Sequence, residues 1–117
     1  MARLTESVQI YGFGSRFNGK RPAHDVDLLI VHSDVGSESC RFAIYCKQLL
    51  SAVIPHADIT MLSRDEEADL RFITHSCAKS LGHVCSGTVE EDVEQIGIII
   101  ADQEWGPVSD AAALIEA

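Results

Sequence analysis

Apolar and polar residues recur with two different periods along the chain, and this pattern predicts both strands and helices. Three segments have the pattern of strands: 7–13, 25–32 and 57–62. In the second of these, the unbroken apolar run 28–31 predicts burial on both faces of a sheet. After it, apolar side chains recur at the spacing of an amphipathic helix that ends before Pro55: Phe42, Cys46, Leu49, Leu50 and Val53.

A capping box predicts where the next helix begins. Ser63 is followed three residues later by Glu66, a hydroxyl and a carboxylate at the spacing of an N-cap and its reciprocal partner. We predict a helix from this point to about Ser80, closed by Gly82. Its inward side chains are expected to be Leu70, Ile73, Cys77 and Leu81.

A second capping box, Thr88 with Glu91, predicts another helix through Ile96 and Ile100. The segment 97–100 also fits a strand, so both interpretations stay open. Beyond it, Trp105-Gly106-Pro107 is a break and 109–117 fits a short terminal helix.

This order of elements predicts one α/β (α+β) domain, a small mixed sheet flanked by helices. We expect residues 1–83 to form its core and residues 84–117 to be a C-terminal extension of the same domain. The chain has 117 residues, 46% apolar and 23% charged, which is enough to bury a core without disulfides.

The sequence favours a cytoplasmic protein without a membrane partner. The N-terminus lacks the basic, apolar and small-residue order of a signal peptide, and the apolar stretches 26–31 and 96–101 are too short to cross a bilayer. The spacings His75-x-Cys77 and His83-x-Cys85 match no common zinc pattern. We therefore expect free thiols, with Cys77 on a buried helix face.

The net charge of −9 is unevenly distributed. Residues 1–64 hold seven basic and six acidic side chains, whereas residues 65–117 hold two basic and twelve acidic ones. An acidic half repels a polyanion, so we do not expect a long nucleic acid as a partner.

Three aspartates could supply the ligands of a magnesium site. Asp25 and Asp27 stand at i and i+2 of a predicted strand, so both side chains project from the same face. Asp58 begins the next strand and can supply a third carboxylate. Magnesium prefers oxygen ligands, and phosphoryl-transfer chemistry with two ions needs carboxylates that converge on one point.

The turn before these aspartates has the residue types that bind phosphate. Gly14 allows close approach of the backbone, Ser15 offers a hydroxyl and an N–H, and Arg16 adds positive charge. Lys47, on the first long helix, is a further phosphate candidate on charge alone.

Taken in order, Gly14-Ser15, Asp25-x-Asp27 and Asp58 resemble the signature of the polymerase-beta-like nucleotidyltransferase superfamily. The string Gly-Ser-Arg-x-x-Gly at 14–19 is similar to that of its small stand-alone branch, the minimal nucleotidyltransferases. The resemblance covers roughly residues 7–81 and implies the nucleotidyltransferase fold.

The resemblance implies an enzyme that moves AMP from ATP to a hydroxyl. Asp25, Asp27 and Asp58 would be catalytic and would hold two Mg²⁺ ions, with Mn²⁺ as an alternative. Gly14, Ser15 and Arg16 would bind the nucleotide's phosphates. Small members of this family often pair with a helical toxin protein, which they adenylylate as its antitoxin.

Three other functions stay open at this point. The acceptor could be a small molecule such as an antibiotic, although such enzymes usually carry a further domain. The chain could be a non-catalytic antitoxin that binds a nucleotide or a partner. It could also be a structural α/β domain in which the motif has no function.

Overall fold

The computed structural model describes residues 6–19 and 25–102, and it confirms an α+β fold. The elements in chain order are β1 Ser7–Phe13, α1 Ser15–Asn18, β2 Val26–His32, α2 Ser37–Val53, β3 Ala57–Ser63, α3 Arg64–Leu70, α4 Phe72–Ser76, β4 Lys79–Cys85 and α5 Val89–Asp102. The first three strands lie within one residue of their predicted bounds.

The four strands form one mixed sheet in the order β3-β2-β1-β4. β1 is antiparallel to both β2 and β4, while β2 and β3 are parallel. A parallel pair needs a long crossover connection, and α2 supplies it between β2 and β3. The pairing of β1 with β4 shifts register between Ile10 and Tyr11.

The hydrophobic core lies between one face of the sheet and the helices α2 and α5. Alternate residues of β2, Leu28 and Ile30, belong to this core. Leu29 and Val31 are also buried, but they point to the opposite face, where α3 contacts β2 and β3. The strand is therefore covered on both sides, as its apolar run predicts.

Helix α2 confirms most of its predicted inward stripe. Cys46 and Leu50 are fully buried, and Phe42 and Leu49 pack against the core. Val53 is the exception, because it is 52% exposed at the last turn of the helix. The helical period alone predicts an inner position for Val53, but the core contact at this end of α2 is made by the next residue, Ile54, which is buried.

The predicted helix from Ser63 to Ser80 is wrong in its length, although its start is confirmed. The Ser63 side chain accepts from the Glu66 amide, and the Glu66 carboxylate accepts from the Ser63 amide. The helix ends at Leu70, because Arg71 adopts a left-handed conformation with φ 53°. The Glu67 carboxylate then accepts from the Ile73 amide at 2.8 Å, which stabilises the start of α4.

The segment 79–85 is a strand, not the end of a helix. Cys77 adopts φ 55°, and the chain then pairs with the free edge of β1 as β4. Leu70 and Cys77, both predicted inward, are exposed, while Leu81 is buried from within the strand. Pairing along the edge of β1 outweighs the local helical pattern.

Helix α5 is confirmed through Ile96 and Ile100, so the alternative strand at 97–100 is excluded. At its start the carboxylate that meets the Thr88 hydroxyl is that of Asp92, at 2.7 Å, and it also accepts from the Cys85 amide. α5 packs on the sheet, and β4 spans the 83/84 boundary at which we expected the extension to begin.

The predicted break at 105–107 and the terminal helix at 109–117 lie outside the described residues. Of the helices within 6–19 and 25–102, none combines the length and the apolar character that a membrane span requires.

We predict that Gly97→Ala stabilises the protein by about 0.5–1 kcal/mol, because glycine in a helix interior is costly. A Cβ at this position would meet its nearest neighbour, Val53 Cγ2, at 3.9 Å, so the added methyl fits. The same substitution at Gly82, where φ is +134°, should cost about 1–3 kcal/mol. Urea denaturation of both variants measures the difference, and equal effects would contradict this account.

Candidate functional site

Two of the three predicted carboxylates lie side by side at one end of the strands of the sheet. Asp27 of β2 and Asp58 of β3 are direct partners in the parallel register of these strands. Their neighbours Leu28 and Ile59 both belong to the core, so the two aspartates point to the opposite face. At this end of the sheet β1 ends, and β2 and β3 begin.

The third carboxylate, Asp25, precedes β2 and is exposed. The pKa of Asp27 is raised, first by partial burial and then by the negative charges of Asp58 and Asp25. The three side chains therefore share one electrostatic environment, in which each added negative charge is unfavourable.

Gly14 brings the turn after β1 against this carboxylate pair. Its φ is +80°, a conformation that favours glycine, and a Cβ built on it would collide with Asp27 Oδ2. No other residue type fits here without moving Asp27. The backbone of the turn is thus in direct reach of the Asp27 carboxylate.

Helix α1 is anchored in the core by Phe17. The Phe17 ring is fully buried and lies over Gly12, where a Cβ would come within 2.5 Å of it. The Phe17 and Asn18 amides both donate to the Gly14 carbonyl at 3.1 Å. The amides of Ser15 and Arg16 precede these first helical hydrogen bonds and are the positions from which a helix start donates to an acceptor.

The guanidinium of Arg16 lies at helix α5. Its Nη2 donates to the carbonyl of Ile100 at 2.8 Å, and its Nε is buried without a hydrogen-bond partner among the described residues. α5 has no basic residue in its own last turn. Arg16 thus supplies the positive charge that a helix C-terminus favours, and the phosphate role given to it by the sequence stays a prediction.

An aromatic pair borders the carboxylates, and the sequence did not reveal it. Phe13 is the direct register partner of Asp27 on β1. Its ring meets that of Phe72 of α4 edge to face, with centroids 4.9 Å apart. Phe72 falls within the segment predicted as one long helix, so only the break at Arg71 brings it to this place.

The donor set suits a hard divalent cation in its chemistry. Carboxylate oxygens are the ligands that magnesium prefers, and a cation would offset the partial burial and the repulsion that together raise the pKa of Asp27. Among residues 6–19 and 25–102, however, no group of three or more His, Cys, Asp or Glu is arranged to hold a metal ion. The carboxylates are neighbours, but they do not converge as a closed ligand shell.

The remaining chemistry-bearing residues lie elsewhere. Lys47 is exposed on α2, the helix that covers the face opposite to Asp27. The cysteines in the described part of the chain are free thiols, and burial raises the pKa of Cys46 to about 12. Cys77 is exposed, contrary to the expectation of a buried helix face.

Comparison of the chain with protein-family models, curated proteins and solved structures finds no match.

The raised pKa of Asp27 predicts a pH-dependent penalty on the folded state. Above the raised value Asp27 is charged in both states and the penalty is complete; below the ordinary aspartate pKa, about 3.9, it is absent. Asp27→Asn should therefore gain stability over the wild type as pH rises, by less than about 1 kcal/mol at pH 7. Urea denaturation without divalent cations measures the gain, and an advantage that is constant with pH would contradict it.

We predict that Arg16→Ala lowers the stability of the protein without nucleotide by about 1–2 kcal/mol, because it removes a charged cap from α5. Arg16→Lys should retain part of this stability. Arg41→Ala, at an exposed position of α2, is the matched control and should change stability by less than about 0.5 kcal/mol. If Arg16→Ala is as stable as this control in thermal denaturation, the cap contributes nothing.

Proposed function

We propose that this protein is a divalent-cation-dependent nucleotidyltransferase that moves AMP from ATP to a hydroxyl group. The observation that carries the proposal is the facing pair Asp27 and Asp58, with the Gly14 backbone against Asp27. Partial burial and the neighbouring charges of Asp58 and Asp25 raise the pKa of Asp27, and such a carboxylate pair is costly unless a cation binds it. The sequence resemblance to the polymerase-beta-like superfamily adds the reaction class.

In this proposal Asp25, Asp27 and Asp58 are the residues that hold magnesium. Bound there, magnesium supplies positive charge that offsets the developing charge on the phosphate oxygens. The turn at Gly14 holds the β- and γ-phosphates through the backbone amides of Ser15 and Arg16. Arg16 supports this turn through its hydrogen bond to Ile100.

The reaction forms a bond between the acceptor oxygen and the α-phosphorus of ATP. The bond from that phosphorus to the bridging oxygen breaks, and pyrophosphate leaves with the electron pair. Asp58, the more exposed of the facing pair, accepts the hydroxyl proton. The main contribution of the chain is to hold both reactants in line beside these carboxylates.

We propose that the acceptor hydroxyl belongs to a partner protein in the cytoplasm. The carboxylates lie at the end of the sheet where β2 and β3 begin, and Asp25 and Asp58 are exposed. A hydroxyl on a second protein can reach these exposed carboxylates directly. A small-molecule acceptor is bound best in a concave pocket, and none of the cavities found among residues 6–19 and 25–102 is lined by Asp27 or Asp58.

We predict that ATP binds in the presence of magnesium and that Asp25→Asn with Asp27→Asn weakens this binding at least about tenfold, or 1.4 kcal/mol. The double variant removes two of the proposed ligands and should stay folded, because it relieves repulsion between like charges. Isothermal titration calorimetry with and without magnesium measures the effect.

The matched control is Glu90→Gln with Glu94→Gln, which removes the same two charges from exposed positions on α5. This control should bind ATP as the wild type does. Equal affinity of both double variants for ATP, or binding that does not depend on magnesium, would contradict the proposed site.

A further inference from the structure

A groove runs along the outer side of the molecule between α2 and α5. It encloses about 530 Å³, and most of its lining is apolar or small. Its apolar and glycine lining includes Leu49, Val53, Val93, Gly97 and Ile98. Because α2 and α5 cover the core face of the sheet, this groove lies on the side opposite to Asp27 and Asp58.

The groove has the shape that receives an α-helix. Tyr45 and Glu90 line a cleft near the start of α5, and Val53 approaches Gly97 further along, so the two helices run side by side in the same direction. The lining of α5 extends from Glu90 to Asp102, about 18 Å at about 1.5 Å per residue. Three turns of a partner helix match this length.

Apolar side chains are left open to solvent along this groove. Val53 is 52% exposed and Ile98 is 43% exposed, on adjacent helices. Gly97 between them lowers helix stability, and no contact within the described chain requires it, since an added Cβ would have room. A glycine at the floor of a groove lets another backbone approach closely.

The acidic side chains around the groove favour a basic partner. Glu90, Glu94 and Asp102 line it, and no Lys, Arg or His is among its described lining residues. A partner with a negative rim would be repelled, whereas lysine or arginine side chains flanking an apolar stripe would pair with these carboxylates.

We propose that the α2–α5 groove is a docking surface for a basic amphipathic helix of a partner protein. The apolar stripe of that helix would lie on Val53, Gly97 and Ile98, and its flanking basic side chains would face Glu90, Glu94 and Asp102. This surface is separate from the carboxylate site, and the inference does not depend on the proposed catalytic function.

Two other occupants fit the charges less well. Residues 103–117 follow Asp102 in the sequence, but they carry Glu104, Asp110 and Glu116 and no basic residue. A second copy of this chain would bring the same acidic rim against itself. Like charges in both cases oppose binding.

The test uses a displayed library of 18-residue helical peptides selected against the full-length protein. The peptides carry Leu, Ile, Phe or Ala on one face and Lys, Glu or Gln at the flanking positions. We expect enrichment of Lys at the flanks, with the selected peptide binding in the micromolar range by fluorescence anisotropy. Binding should weaken as salt rises, because flanking charges contribute to it.

Variants then locate the binding site. Gly97→Leu should fill the groove, be at least as stable as the wild type in thermal denaturation and weaken peptide binding at least about tenfold, or 1.4 kcal/mol. Glu90→Gln with Glu94→Gln should weaken binding by a smaller factor. Val35→Leu is the matched control for a larger exposed apolar side chain, because Val35 is exposed and lies outside the groove lining, and it should leave peptide binding unchanged.

Three results would overturn the proposal. The first is a library without Lys enrichment, or a selected peptide that binds Gly97→Leu as tightly as the wild type. The second is a peptide that binds only after Leu114→Ser and Ile115→Ser, since residues 103–117 would then occupy the groove. The third is a dimer by analytical ultracentrifugation that Gly97→Leu dissociates, since a second copy would then be the occupant.

Discussion

The parallel register of β2 and β3 places the carboxylates of Asp27 and Asp58 next to each other, and these two like charges repel. A sheet that pairs seven residues of β2 with seven of β3 cannot move one of the aspartates away without losing its register. The apolar run 28–31, buried on both faces, fixes that register. Packing of the core therefore offsets the unfavourable free energy of this carboxylate pair.

Two glycines bring the neighbouring turn to this pair. Gly12 leaves space for the Phe17 ring in the core, which anchors α1, and Gly14 allows the backbone to meet the Asp27 carboxylate. Arg16 then connects α1 to the last turn of α5 through the Ile100 carbonyl. These contacts connect the turn to the core, to the Asp27 carboxylate and to α5.

The elements that depend on local patterns were predictable from the sequence. The strands 7–13 and 57–63 and the start of α3 at Ser63 follow from alternation and capping chemistry. The end of α3 was not predictable, because Arg71 and Cys77 adopt left-handed conformations without a glycine or proline to mark them. β4 forms because β1 offers an unpaired edge, and such a tertiary requirement leaves little trace in a single sequence.

The candidate site was likewise only partly predictable from the sequence. The two aspartates of one strand and a third on the next were visible as a pattern, and Asp27 and Asp58 do face each other. The contact of Arg16 with Ile100 spans 84 positions, so no local spacing could indicate it. The aromatic neighbour Phe72 and the groove beside Val53 likewise depend on how helices end and pack.

We propose that Asp27 and Asp58 bind a divalent cation together with a nucleotide at the Gly14 turn. The most direct test is paramagnetic broadening of backbone amide signals by Mn²⁺ in the presence of ATP. The account predicts broadening at Gly14, Ser15, Asp27 and Asp58 and none at Glu94 or Ile98. Broadening centred on the acidic residues of α5, or none at all in the folded protein, would contradict it.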